Sequence, residues 1–369
     1  MSSLLPVFGG KQGRGAGREL EARAASGAPQ TPVWFDLDAP PPLADVQGRR
    51  YEYLRLSVTD RCDLACRYCM PPGGEGDHAL RPELMSFEEN ARLVAIFARL
   101  GVRRVRFTGG EPLIRKHFTS LVQAIHDASE ATELVLTSNA TRLAPVAREL
   151  RAAGLSGVNV SLDSLDPQRF REITRGGDLG AVLAGIEASL DAGLEVKINT
   201  VAMGGINDDE FGAIVDWAWA RGITPRFIEL MPLGEGAKMT EAFMGVPDIV
   251  HRLGERVADD AMGPVVTGRG PARYFASAAD SSRRVGVIAA VSANFCDTCN
   301  RVRVTGRGDL RVCLASQRAI SVRDAFRAGA SDRDVAWATC WALGGKAQGH
   351  QFATDGGAHE GVGMSLVGG

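Results

Sequence analysis

Phe87-Glu88-Glu89-Asn90-Ala91-Arg92-Leu93-Val94-Ala95-Ile96-Phe97-Ala98-Arg99-Leu100-Gly101-Val102-Arg103-Arg104-Val105-Arg106-Phe107-Thr108-Gly109-Gly110-Glu111-Pro112 decides the fold. Apolar residues recur at helical spacing through Phe87–Leu100, Gly101 stands where a left-handed cap favours glycine, and Val102–Phe107 has the length and branching of a strand. The same order recurs along the chain. Strands are predicted at Leu54–Val58, Leu134–Thr137, Val158–Leu162, Val196–Val201 and Arg226–Leu230, with helices at Phe118–Ala128, Leu179–Ala192 and Asp209–Ala220. Gly154, Gly193 and Gly222 repeat the role of Gly101. Six strand–helix units predict an α/β fold, a partial (βα)6 TIM-like barrel that stays laterally open.

The 369 residues suffice for two domains at about 150 each. With 45% hydrophobic and 23% charged residues the chain is ordinary globular protein, which excludes a collagen-like repeat, wholesale disorder or a small disulfide scaffold. A net charge of −2 leaves no global basic footprint for nucleic acid. No apolar stretch approaches the roughly 20 residues of a membrane span, and Leu4–Phe8 is too short for a signal-peptide core, so a soluble, cytoplasmic chain is expected. Residues 1–50, rich in Gly, Ala, Arg and Pro, read as a flexible extension. A barrel domain is expected over 51–233, a smaller C-terminal module over 234–345 that closes the barrel and carries a second cysteine cluster, and a glycine-dense tail over 346–369.

Seven cysteines fall in groups, unlike an extracellular disulfide framework. Cys62, Cys66 and Cys69 place three thiols in one loop after the first strand. Thiolates suit iron–sulfur clusters or zinc, and a zinc site completed by His78 or a distant cysteine satisfies this spacing as well. Cys296, Cys299 and Cys313 form a second set of three. A structural zinc site takes four protein ligands, so three favour a cluster with one open iron. Cys340 is either a fourth ligand or a buried thiol packed as a small hydrophobe.

The spacing C-x3-C-x-aromatic-C, with Thr108-Gly109-Gly110-Glu111-Pro112 one unit later, resembles the radical S-adenosylmethionine (SAM) superfamily. From about Tyr53 onward the chain is similar to the GTP 3′,8-cyclase family within it. That likeness rests on Leu54-Arg55-Leu56-Ser57-Val58-Thr59-Asp60-Arg61-Cys62, Asn159-Val160-Ser161-Leu162-Asp163, Arg226-Phe227-Ile228-Glu229-Leu230-Met231, Phe295-Cys296-Asp297-Thr298-Cys299-Asn300-Arg301-Val302-Arg303 and the terminal Gly368-Gly369. It implies a 4Fe-4S cluster on Cys62, Cys66 and Cys69 whose open iron binds SAM, with Tyr68, Gly109, Gly110, Glu111, Ser161 and Met231 around SAM. It further implies a second 4Fe-4S cluster on Cys296, Cys299 and Cys313 facing the guanine of GTP. Arg55, Arg106, Thr137, Lys197, Arg301, Val302 and Arg303 would contact GTP, and Gly368 and Gly369 would reach into the active site.

The activity so implied is the first step of molybdenum cofactor biosynthesis: a 5′-deoxyadenosyl radical takes the 3′ hydrogen of GTP, and the carbon radical closes on C8. GTP, an electron donor that the sequence does not identify, and cyclic pyranopterin monophosphate synthase as recipient of the product are the implied partners, with a monomer or homodimer expected. The residue types agree independently, since a triphosphate needs converging cations, and Arg55, Arg106 and Lys197 lie on predicted strands that can aim inward. Two rival readings use the same residues: a peptide-modifying radical enzyme and a zinc-stabilised nucleotide-binding regulator. Thr137-Ser138-Asn139-Ala140 departs from the Thr-Thr-Asn-Gly common in the family.

Overall fold

The computed structural model describes residues 43–74, 78–129, 132–258, 270–316, 318–350, 352 and 363–364. Six parallel strands, β1 (Tyr53–Ser57), β2 (Arg104–Thr108), β3 (Glu133–Ser138), β4 (Leu155–Ser161), β5 (Glu195–Ala202) and β6 (Thr224–Glu229), lie side by side in chain order. Between them run α1 (Phe87–Arg99), α2 (Phe118–Ala128), α3 (Ala147–Ala152), α4 (Pro167–Thr174), α5 (Leu179–Asp191) and α6 (Phe211–Trp219).

Helix α1 shows why these segments fold as they do. Ser86 Oγ accepts the Glu89 N–H at 3.1 Å while Glu89 Oε2 accepts the Ser86 N–H at 2.7 Å, a reciprocal cap that starts the helix. Leu93, Val94, Ile96 and Phe97 then form one buried face. Gly101, Gly154, Gly193 and Gly222 have φ between 69° and 99°, the left-handed geometry expected of them. The predicted second strand begins two residues late, because the Val102 N–H turns back to the Phe97 carbonyl at 2.9 Å.

Strand alternation sorts the sheet into two faces. On β1, Leu54 and Leu56 are buried in the large core beneath the helices, each stabilising the fold by roughly 2 kcal/mol. Tyr53, Arg55 and Ser57 take the opposite face, as the two-residue period requires.

The region after Gly234 is more regular than its sequence suggests. It contains β7 (Arg273–Ala276), β8 (Arg284–Ile288), β9 (Arg301–Val304), β10 (Asp309–Arg311), β11 (Ile320–Ser321), α7 (Val246–Leu253), α8 (Val322–Arg327) and α9 (Asp332–Gly344). Rather than forming a separate body, it continues the sheet at both edges: β9 pairs parallel with β1 and β8 pairs parallel with β6. The strand order β11-β10-β9-β1-β2-β3-β4-β5-β6-β8-β7 leaves the barrel open, as expected.

The expected flexible extension also needs correcting at its end. Leu43 is buried in the main core, and its N–H and carbonyl bond Leu100 and Tyr51, so the folded chain begins before residue 50.

Candidate active site

Five expected site segments fall at or just past the C-terminal ends of five of the six parallel strands. The Cys62–Cys69 loop follows β1, Gly109-Gly110-Glu111 follows β2, Thr137-Ser138 ends β3, Ser161 ends β4 and Met231 follows β6. In such a sheet, side chains from several strand ends converge on one rim.

The thiol loop is held from two sides. The Ala65 and Arg67 N–H groups donate to Thr174 and Ile173 carbonyls of α4 at 3.1 and 2.9 Å, and Arg175 Nη1 binds the Met70 carbonyl at 2.7 Å. Gly109 and Gly110 press against the residues just before Cys62: Gly110 N–H reaches the Thr59 carbonyl at 2.9 Å and Glu111 N–H the Arg61 carbonyl at 2.7 Å. A Cβ at Gly110 would stand 2.1 Å from the Arg61 oxygen. The glycines therefore seat the cysteine loop, whatever they also do for a ligand.

Cys62, Cys66 and Cys69 border one cavity of about 140 Å³ together with Gly110, Glu111, Thr137, Ser161 and Asp163. Met364, near the chain's end, borders it too. Burial pushes the Cys62 thiol up to about 12 and Cys66 well above its ordinary value, with neighbouring negative groups adding to the effect. Cys62 and Cys66 therefore stay neutral until a cation stabilises their thiolates. Among the described residues no group of three or more Cys, His, Asp or Glu converges on one ion, and His78 Nδ1 lies 3.9 Å from Asp60 rather than completing a zinc site. Thiols spread around a cavity suit a polynuclear centre.

Glu111 is less available than its motif suggests. Its carboxylate accepts Leu113 N–H at 3.0 Å, Ser138 O–H at 2.9 Å and Asn139 N–H at 2.7 Å, using three of about four lone-pair sites. It thereby ties the β2 and β3 ends together, while burial pushes its pKa up to about 7. Tyr68 donates to Asp163 Oδ2 at 2.8 Å, and Asp163 is raised to about 6 by burial. Met231, half-buried after β6, is not part of the cavity's lining. Ala140 takes φ 61° and is buried, so alanine occupies a left-handed position that the family's glycine fits without strain.

On the face opposite the helices the strands assemble a basic floor. Register places Arg303, Arg55 and Arg106 in one row across β9, β1 and β2. Arg106 donates to the Tyr53 hydroxyl, to the Leu136 carbonyl at 3.0 Å and to Thr137 Oγ1 at 3.2 Å. Burial, then the Arg303 charge, holds Arg55 well below the ordinary arginine value, and burial with Arg301 brings Arg303 to about 10. Lys197 lies half-buried on β5 and pairs with Glu195 at 2.6 Å. Val302 differs from its neighbours: alternation puts its side chain in the apolar core, so only its backbone faces the floor.

Arg226 of β6 was not expected among these residues. It is 6% exposed, with Nε and Nη2 lacking hydrogen-bond partners among the described residues, and Gly286 on β8 leaves space for its stem: a Cβ there would meet Arg226 Cγ at 2.7 Å. Alternation along β6 could have found it, since Arg226 aligns with Asn199, two residues beyond Lys197 on the same face of β5.

The second thiol set adjoins this floor. Cys296, Cys299 and Cys313 are each partly buried. Burial raises the Cys296 thiol, whereas at Cys299 the charges of Arg301 and Lys346 outweigh burial and lower it to about 7. Arg301 stacks over Phe295 at 4.5 Å and lies 3.9 Å from Cys299 Sγ. Cys340 instead packs against the main core, and burial pushes it up to about 11. Gly368 and Gly369 lie outside the described residues.

The chain matches the radical SAM superfamily over residues 56–218 and the Molybdenum Cofactor Synthesis C family over residues 223–352, a junction some ten residues before the expected boundary at 233. The fold agrees: the SAM-bound SuiB of Streptococcus suis superposes with a TM-score of 0.55 at 16% identity, covering 75% of this chain and 65% of that one. The class is therefore that of radical SAM proteins. The GTP 3′,8-cyclase of Caulobacter vibrioides is 44% identical over 338 residues, 90% of this chain and 93% of that protein. That of Hydrogenovibrio crunogenus is 42% identical over 79% of this chain and 88% of its own length. This chain belongs to the GTP 3′,8-cyclase family.

Proposed function

We propose that this chain converts GTP to (8S)-3′,8-cyclo-7,8-dihydroguanosine 5′-triphosphate, the opening reaction of molybdenum cofactor biosynthesis. The observation that carries this reading is the row Arg303, Arg55, Arg106, which runs from the strand after one thiol set to the strands leading into the other. Buried, crowded guanidinium groups are costly alone and are relieved by a polyanion, and planar forks match phosphate oxygens. A triphosphate offers these three cations matching negative charge and a neutral peptide does not, which disfavours the peptide-modifying alternative.

Cys62, Cys66 and Cys69 would hold a 4Fe-4S cluster, and SAM bound there supplies the 5′-deoxyadenosyl radical that takes the C3′ hydrogen. Tyr68, Gly109, Gly110, Ser161 and Met231 bind SAM, with Glu111 keeping the β2 and β3 ends in place. Cys296, Cys299 and Cys313 would hold a second 4Fe-4S cluster near the guanine. Arg55, Arg106, Thr137, Lys197, Arg226, Arg301 and Arg303 hold GTP, with Val302 contributing backbone. The radical chemistry requires that water and oxygen be kept from this cavity during turnover. Met364 at that cavity supports a tail that brings Gly368 and Gly369 to the substrate.

An external one-electron donor is required, and the strained product passes to cyclic pyranopterin monophosphate synthase. No helix among the described residues is long and apolar enough to cross a membrane; the proposal takes the enzyme as cytoplasmic and as a monomer or homodimer.

The test is an anaerobic assay of the iron-loaded protein with SAM, dithionite and GTP deuterated at C3′. Deuterium in 5′-deoxyadenosine together with cyclised nucleotide is expected. Unlabelled 5′-deoxyadenosine would remove the GTP assignment.

A further inference from the structure

Residues 346–350 form a strap past the second thiol set, clasped by groups that the proposed reaction does not use. Arg49 Nη1 donates to the Cys296 carbonyl at 2.8 Å and the Gln348 carbonyl at 2.7 Å, and its Nη2 to the Ala347 carbonyl at 2.8 Å. Its Nε pairs with Asp45, whose Oδ2 also accepts the Tyr51 hydroxyl at 2.5 Å. The Tyr51 ring lies under the ammonium of Lys346, 4.5 Å from its centroid. Lys346 itself is 5% exposed, with Nζ 3.4 Å from Cys299 Sγ and 3.4 Å from the Arg301 carbonyl.

A buried ammonium is costly unless compensated, and its surroundings here are an aromatic face, a carbonyl and a sulfur. Of these, the sulfur is the one that gains negative charge when it ligates iron. Five polar contacts of the clasp keep Lys346 against it, more structure than a solvated lysine requires.

We propose that Lys346 is a positioning residue that sets the reduction potential of the second iron–sulfur centre, donating a hydrogen bond to the Cys299 sulfur, with Asp45, Arg49 and Tyr51 holding it in place. The inference rests on the second-cluster reading. Positive charge and hydrogen bonding at a cluster sulfur stabilise the added electron, so this pair raises the potential.

The test uses the full chain carrying Cys62, Cys66 and Cys69→Ser, so that only the second centre remains, titrated with dithionite and followed by electron paramagnetic resonance and iron content. Lys346→Met keeps the stem and removes the charge. It should retain iron and lower the reduced-to-oxidised ratio at fixed potential at least tenfold, a shift of about 59 mV for one electron. Lys346→Arg should recover most of that loss. Iron retained with an unchanged potential in Lys346→Met overturns the inference and leaves the cluster standing. Absence of iron from the parent background defeats the second-cluster reading and the inference with it. Loss of iron from Lys346→Met alone supports a need for charge, whereas loss from both variants overturns it, because packing would then be what the site requires.

Discussion

Arg226→Met should stabilise the protein without nucleotide and weaken its hold on GTP. Burial, with the Arg106 charge adding, brings the Arg226 guanidinium down to about 10. At about 1.4 kcal/mol per pKa unit that is a penalty on the order of 3 kcal/mol, present at every pH below about 10, because the charged form is the one disfavoured in the fold. Methionine removes the charge and keeps much of the stem, so a net gain of about 2 kcal/mol remains after lost contacts, roughly 3 °C in melting temperature for a chain of this size. The same change removes one or two charge-assisted hydrogen bonds to phosphate, about 1.5–3 kcal/mol, or roughly 10- to 150-fold in affinity. Anaerobic thermal melts with and without GTP, paired with a direct titration, read both effects in one preparation. A variant that melts lower without nucleotide and binds GTP like the parent would refute the assignment of Arg226 to the anion site.

Gly110→Ala forces a carbon against the Arg61 backbone, which cannot swing aside like a side chain, so a loss of about 3 kcal/mol and a reduced iron content at the first thiol set are expected, read by melting temperature and iron analysis. Glu111 has a folded pKa raised to about 7, so the stability of its protonated form is fully present below the ordinary carboxylate value and lost as pH rises through 7. Metal-free protein should accordingly melt lower at about pH 8 than at about pH 5, and Glu111→Gln should flatten that slope while lowering the whole curve; an unchanged slope would assign the effect elsewhere. Adding one residue after Gly369 should suppress cyclised product while leaving both clusters intact, and undiminished turnover would remove the tail from the mechanism.

Much of the barrel half was legible because its signals are local. Amphipathic spacing, capping residues and terminal glycines each act within a turn or two, so α1 and α2 fall where the sequence puts them. Strands β8 and β9 carry valines at the two-residue strand period, but which strands they join is not a local signal: β8 pairs with β6 about 60 residues back, and β9 with β1 about 250 residues back. The same non-locality hid Arg226 and Lys346, whose significance comes from what stands opposite them. Glu111 shows the converse: its motif was plain, and the Leu113 N–H two residues on is a local donor, but the Ser138 and Asn139 donors that complete its carboxylate come from the end of the neighbouring strand β3.

The pairing of β1 with β9 also governs how the chain must be made. Tyr53 meets Arg301 about 250 residues downstream, so at roughly 5–20 residues per second a nascent chain waits some 10–50 s before its first strand gains this neighbour. Throughout that interval β1 keeps a bare edge, and β6 keeps one from its own synthesis until β8 follows about 60 residues later; such edges are the surfaces through which incomplete sheets aggregate. Production of this enzyme should therefore respond to translation speed and chaperone supply, and a fragment ending near residue 220 should be poorly soluble although it contains every residue of the first thiol set.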